Sequence, residues 1–87
     1  MRSYMKIRNE AVEQLRALKR ALNKYEREAD ESYYFADKLS DIHNSINLLR
    51  TALRQADYYH AQSKYSKAID ILERALERAF DDPFLHV

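Results

Sequence analysis

Glycine, cysteine and tryptophan are missing from this chain of 87 residues, and its only proline is Pro83. Without glycine, the chain has no residue that adopts positive φ angles at little cost, so tight hairpin turns and glycine-rich phosphate loops have no support. Without cysteine, disulfides and thiolate-bound metals are excluded. Helix formers such as Ala, Leu, Glu, Lys and Arg dominate instead. The composition therefore predicts an all-α protein.

Long apolar runs and catalytic signatures are missing as well. No run is long enough to span a bilayer, and no signal-peptide core follows Met1. The sequence contains no His-x-x-x-His or Glu-x-x-His pair of the kind found in metal sites, and no activated nucleophile is recognisable. We therefore expect a cytoplasmic, non-enzymatic chain with no membrane insertion of its own, no catalytic residue, no cofactor and no metal. The three histidines are His43, His60 and His86.

The charge of the chain is balanced overall but not along its length. The net charge is +1, yet residues 1–28 hold eight Lys or Arg against four Glu, which gives +4. A basic helix face is usually only a solvated surface, and nucleic-acid binding needs a denser stripe of positive charge. Nucleic-acid binding through the basic face of the first helix is therefore an alternative that we do not favour.

What the chain does have is a heptad pattern typical of a coiled coil. Between residues 35 and 60, apolar residues recur at alternating spacings of four and three, which predicts a helix of about residues 33–61 with one continuous apolar stripe. The stripe continues through Ala56 to His60. The spine of this helix is predicted to be Phe35, Leu39, Ile42, Ile46, Leu49 and Leu53.

Two further amphipathic segments flank the heptad helix, at about residues 4–29 and 65–80. The apolar register slips near residues 30–32, where Asp30 or Ser32 suits a helix N-cap, so we predict a turn there. The predicted fold is an antiparallel three-helix bundle with a short third helix, in one domain (1–80) followed by a tail (81–87). The alternative is one continuous helix over 5–62 with a returning helix. A short third helix would leave half of the hairpin uncovered and apolar, which predicts self-association.

Residues 52–76 resemble a tetratricopeptide-repeat hairpin, in which small residues stand where two helices cross closely. Ser63-Lys64-Tyr65 stands where that family prefers a Gly-x-Tyr turn, and Ala52 stands where it has an aromatic residue. No second copy occurs in residues 1–50, so the resemblance implies one hairpin and not a solenoid. The remaining matching positions are Ala56, Tyr59, Ala68, Ile69, Leu72, Ala75 and Leu76.

A weaker resemblance, over about residues 36–80, is to the C-terminal part of the septation-ring regulator EzrA of Gram-positive bacteria. It rests on the stretches Ala52–Asp57, Ala68–Asp70 and Ala75–Glu77 around a tyrosine turn at Tyr65. The Asn-Arg-rich patch of that family is not reproduced here. The resemblance implies a cytosolic piece of a membrane-anchored division protein that contacts the tubulin-like division filament.

Seven tyrosines are the remaining oddity, and several fall beside the two predicted turns. Because tyrosine offers a large contact area with a polar tip, it is frequent in protein interfaces. We therefore predict a protein-interaction or scaffold module that self-associates through the heptad helix; a small regulatory or inhibitor bundle is the other alternative. Of His60, we expect a hydrogen bond to a tyrosine, a backbone group or Asp57. The candidate contact residues are Tyr33, Tyr34, Tyr58, Tyr59, Tyr65 and His60.

Overall fold

A computed structural model describes residues 3–28 and 34–80, with side chains omitted at residues 28, 34–37 and 80. It contains three helices in the order α1 (Tyr4–Glu28), α2 (Tyr34–Ala61) and α3 (Tyr65–Phe80). The described part of the chain has no strand. The predicted all-α three-helix bundle is therefore confirmed, and α3 is the shortest helix at 16 residues.

The helices α1 and α2 run antiparallel. Tyr4, at the start of α1, contacts Asp57 near the end of α2, and Glu26 near the end of α1 approaches His43 in the first half of α2. A continuous helix over 5–62 would be about 87 Å long, whereas the longest dimension of the molecule is 49 Å. That alternative is wrong. The predicted turn at 30–32 with its caps Asp30 and Ser32, and the predicted tail 81–87, lie outside the described residues.

The first helix begins at a serine cap that the sequence analysis did not identify. The Ser3 hydroxyl oxygen accepts the amide of Lys6, and the Ser3 carbonyl accepts the amide of Ile7, both at 3.2 Å. This arrangement satisfies donors that the first turn of a helix leaves open. It fixes the position of Tyr4, the first residue of α1.

The core lies along α2, which contacts both other helices. The heptad stripe of α2 is buried at Ile42, Ile46, Leu49, Leu53 and Ala56, with no more than 9% of any of these residues exposed. Leu39 is half-buried, and the side chain of Phe35 lies outside the description. The core residues of α1 and α3 are Tyr4, Ile7, Ala11, Leu18, Ala68, Ile69, Leu72, Ala75, Leu76 and Ala79.

Two details of α1 differ from its apolar pattern. Met5 is a large apolar residue near the start of α1, but it is 60% exposed. Tyr4 and Ile7 are buried in its place, because the helical register turns these two toward α2 and α3 and Met5 toward solvent. The heptad stripe is thus buried within one chain from Ile42 to Ala56, whereas Leu39 before it is only partly buried; the predicted self-association stays a prediction.

Candidate interaction site

The turn between α2 and α3 is a Schellman motif without glycine. The amide of Lys64 donates to the carbonyl of Tyr59 at 2.9 Å, and the amide of Ser63 donates to the carbonyl of His60 at 3.0 Å. Ser63 has a φ of 63°, which is the left-handed conformation that this motif usually gives to glycine. It is the position at which the tetratricopeptide-repeat family prefers glycine, so the turn was located correctly from the sequence.

Beside this turn, three polar side chains join the start of α1 to the end of α2; we call Tyr4, Arg8 and Asp57 the latch. Arg8 donates two hydrogen bonds to the Asp57 carboxylate, from Nε to Oδ1 and from Nη2 to Oδ2, each at 2.9 Å. The Tyr4 hydroxyl donates to the same Oδ1. In the sequence Arg8 is a charged residue without a local carboxylate partner that would single it out. Its partner lies 49 residues away, so no local pattern reveals the pair.

The latch perturbs the titration of all three of its members. The hydrogen bonds from Arg8 hold the pKa of Asp57 below its ordinary value, against the opposing effect of burial. Burial, and then the hydrogen bond to Asp57, raise the pKa of Tyr4 to about 12. The hydrogen bond to Asp57 also raises the pKa of Arg8. Near neutral pH the latch is therefore a neutral phenol and an arginine cation on one carboxylate.

His60 makes ring contacts in place of the hydrogen bond that was expected for it. Its imidazole stacks on the ring of Tyr4, with centroids 4.1 Å apart and planes 16° apart. The ring of Tyr65 meets His60 edge-on at 5.1 Å. These contacts bring together three of the aromatic residues that the antiparallel arrangement places at one end, although Tyr65 itself remains 52% exposed.

The adjacent pair Tyr58 and Tyr59 faces two ways, as two neighbouring residues of one helix must. Tyr59 is partly buried against the core, whereas Tyr58 is 60% exposed. Their rings meet edge-on, 5.4 Å apart. The ammonium groups of Lys67 and Lys64 lie 4.2 Å and 5.8 Å from the centroid of the Tyr59 ring. Cation–π attraction therefore holds both lysines beside this tyrosine.

A shallow groove of about 490 Å³ opens between α2 and α3 at this place; we call it the tyrosine groove. Aromatic and aliphatic side chains form its apolar surface. Two cationic side chains and one amide also line it, and no carboxylate is among the lining residues. Sequence analysis identified only the tyrosines; the i, i+4 spacing of Arg54 with Tyr58 and of Lys67 with Ile71 was the available signal. The lining residues are Arg54, Gln55, Tyr58, Tyr59, Lys67 and Ile71.

Of the other predicted contact residues, the two that the structure describes, His60 and Tyr65, do not line the groove. Tyr33 and the side chain of Tyr34 lie outside the described residues. Tyr65 and His60 belong to the ring stack beside the latch. The structure thus separates the six candidates into an exposed groove, a stacked cluster and an undescribed pair.

The basic face of α1 is diluted by carboxylates. Arg16 pairs with Glu13 at 2.9 Å, and a depression between Lys6 and Arg20 is lined by Glu10 and Glu13 as well. A mixed surface of this kind does not form the dense stripe of cations that nucleic-acid binding requires. On the exposed face of α3, Asp70 pairs with Arg74 at 3.3 Å.

Within the described ranges 3–28 and 34–80, no three carboxylate or imidazole groups are placed to hold a metal ion. None of the helices found there combines the length and the apolar character that crossing a bilayer requires. Comparisons with protein-family models, curated proteins and solved structures give no significant match. The resemblances to the tetratricopeptide repeat and to EzrA therefore stay predictions.

Proposed function

We propose that this chain is a cytoplasmic, non-enzymatic protein-interaction module that uses the tyrosine groove as its contact surface. The observation that carries the proposal is the exposure of Tyr58. It is 60% exposed in a depression that is lined by tyrosines, cations and an aliphatic side chain. Tyrosine and arginine are the residue types that most often dominate binding energy at protein interfaces.

The scaffold around the groove favours this function. The Schellman turn fixes the end of α2 relative to the start of α3, and the latch fixes the start of α1 against α2. Side chains on packed helices keep their positions better than side chains on loops, which lowers the entropy cost of binding. The lack of cysteine is compatible with a reducing cytoplasm.

The proposal is tested by affinity capture with a pair of matched variants. Met5 and Tyr58 are equally exposed, at 60%, but Met5 lies on α1 and not in the groove. Immobilised wild type, Tyr58→Ala and Met5→Ala are compared by quantitative mass spectrometry of the proteins retained from a lysate, after their melting temperatures are shown to agree.

We expect wild type and Met5→Ala to retain the same proteins and Tyr58→Ala to lose them at least about tenfold, because truncating a central interface tyrosine costs more than about 1.4 kcal/mol. Equal retention by all three would refute the groove as the contact surface. A protein retained by the groove is then titrated in solution against each variant.

A further inference from the structure

The tyrosine groove carries positive charge that the described residues do not neutralise. Arg16 and Arg74 each form an ion pair with a carboxylate. Arg54 and Lys67 line the groove, and neither forms an ion pair with a described residue. The cation–π contact with Tyr59 holds the ammonium group of Lys67 in place but leaves its charge uncompensated. Cations of this kind in a depression attract a negatively charged ligand.

The surface of the groove continues along both of its helices, because residues eleven apart in a helix lie on the same face. On α2 this spacing leads back from Tyr59 to Leu48, which is partly buried against the core. On α3 it leads forward from Lys67 to Arg78, which is exposed. Leu48 lies thirteen residues before the end of α2 and Arg78 thirteen residues after the start of α3, so the two are level across the pair. We call this surface, about three helical turns or 16 Å long, the extended face.

The glutamates of α3 lie on the other side of that helix from the extended face. At about 100° per residue, Glu73 is rotated about 160° from Ile71, and Glu77 about 120° from it. The third carboxylate, Asp70, is paired with Arg74 at 3.3 Å. The α2 residues that line the groove include no carboxylate. The extended face is thus an apolar surface flanked by cations.

The pair of α2 and α3 already holds one helix on its opposite side. Gln55 lines the groove and Asp57 belongs to the latch with α1, and these two residues are about 160° apart around α2. The helix α1 contacts both α2 and α3. The groove between the same two helices therefore presents an equivalent site for a fourth helix, packed as in a four-helix bundle.

We infer that the extended face binds an acidic amphipathic helix of a partner protein, with its apolar stripe on Tyr58 and Ile71 and its carboxylates beside Arg54 and Lys67. A helix without carboxylates would desolvate these cations and leave them unpaired, which is costly. Amphipathic helices are bound in apolar grooves through residues three and four apart. The inference rests on the proposed function, because it uses the same groove and names the chemistry of its partner.

The first test is selection from a displayed library of helices. Every member has Leu, Ile or Phe at alternating spacings of three and four, and its flanking positions are drawn at random from Glu, Lys, Gln and Ala. We expect the wild-type chain to enrich Glu at the flanking positions. The variant Arg54→Glu/Lys67→Glu should enrich Lys there instead, because the charge of the groove is reversed. A selection that enriches no helix, or the same flanking residues on both proteins, overturns the inference.

The second test titrates one selected helix, as a synthetic peptide, against the full chain. We expect the dissociation constant to rise at least about tenfold with Tyr58→Ala and with Arg54→Glu/Lys67→Glu. For wild type it should also rise with added salt. The control Arg16→Glu reverses a cation on α1 and should bind like wild type, and all variants should melt at the same temperature. Equal affinity of every variant for the helix overturns the inference.

The same assays reveal two other occupants of the groove, and either of them overturns the inference. Asp81→Asn/Asp82→Asn removes charge after α3 and should leave the affinity for the helix unchanged; tighter binding would mean that this segment of the same chain fills the groove. Self-association that Arg54→Glu/Lys67→Glu abolishes, measured by sedimentation velocity, would mean that a second copy fills it. If Tyr58→Ala loses captured proteins while no acidic helix is selected, the proposed function stands and this inference does not.

Discussion

The two halves of the α1–α2 hairpin are packed differently. Where α3 covers the hairpin, apolar residues such as Ile7, Leu49 and Leu72 are completely buried. Beyond the end of α3, Leu22, Tyr25 and Leu39 are only partly buried. Since Leu39 and Leu49 belong to the same heptad stripe, the heptad pattern alone does not decide how completely a residue of the hairpin is removed from water.

The same division separates the specific polar contacts. The latch, the ring stack on His60 and the Schellman turn all lie in the three-helix half. In the two-helix half, the contact of His43 with Glu26 is 4.0 Å long between side chains that are both more than half exposed. We therefore expect the three-helix half to open last when the protein unfolds locally.

The largest test of this comparison is a matched pair of leucine truncations. Leu72→Ala removes a fully buried side chain, and we expect it to lower the free energy of unfolding by about 3 kcal/mol. Leu22→Ala removes a partly buried one on the two-helix side and should cost about 1 kcal/mol. Urea denaturation followed by circular dichroism measures both. Equal losses of unfolding free energy would mean that the two halves are equally well packed, which would contradict the difference in burial described above.

Hydrogen exchange sharpens the same comparison without a substitution. Amide protons of α2 near Leu53 should be protected to nearly the full unfolding free energy. Those near Leu39 should exchange through smaller local openings. Uniform protection along α2 would show that the hairpin opens as one unit despite its uneven burial.

A smaller effect is expected from the latch, which we test with Asp57→Asn. The bidentate contact with Arg8 is partly exposed, with side-chain accessibilities of 34% and 46%, so solvent screening limits its contribution. We expect a loss of about 1 kcal/mol at neutral pH. The control Asp70→Asn breaks the exposed i, i+4 pair with Arg74 and should cost a few tenths of that.

The pH dependence of this variant has a definite sign. The pKa of Asp57 is lowered in the folded state, so its contribution is fully present above the unfolded value of about 3.9. It is lost as the pH falls through the folded pKa, because the protonated carboxyl pairs poorly with Arg8. Unfolding free energies of wild type and Asp57→Asn should therefore differ at pH 7 and converge in acid. If the difference in unfolding free energy did not depend on pH, the loss of stability would come from altered packing at residue 57 and not from the charge of Asp57.

The three helices and the turn at Ser63 could be predicted because their signals are local. Alternating spacings, helix formers and a position that suits glycine all act within one or two turns of helix. The latch could not be predicted in this way. Arg8 and Asp57 are surface-type residues whose pairing depends on the antiparallel docking of two helices, and the burial of Tyr4 in place of Met5 depends on how α1 is rotated. Only the tyrosines of the tyrosine groove were predicted, because its aromatic residues stand out in the sequence and its cations do not.

The smallest effect is expected at the turn itself, and its direction is stabilising. Ser63 holds a φ of 63°, a conformation that costs a residue with a Cβ atom about 1 kcal/mol relative to glycine. Ser63→Gly removes this cost but makes the unfolded chain more flexible, so we expect a net gain of about 0.5 kcal/mol. The weak contact of the Tyr65 hydroxyl with the Ser63 hydroxyl, at 3.4 Å and exposed, adds little to the balance.

The control for the turn is Ala61→Gly, two residues earlier at the last residue of α2, where glycine should lower stability by a few tenths of the roughly 1 kcal/mol that it costs inside a helix. Opposite signs for the two glycines, measured by urea denaturation, would show that the left-handed position and not general flexibility is responsible. Because the turn joins α2 to α3, the gain at Ser63 should slow hydrogen exchange in α3 and leave the amides around Leu22 unchanged. Ser63→Gly would then widen the difference between the two halves of the hairpin, whereas a loss of stability would mean that the serine side chain contributes more to this turn than its backbone strain removes.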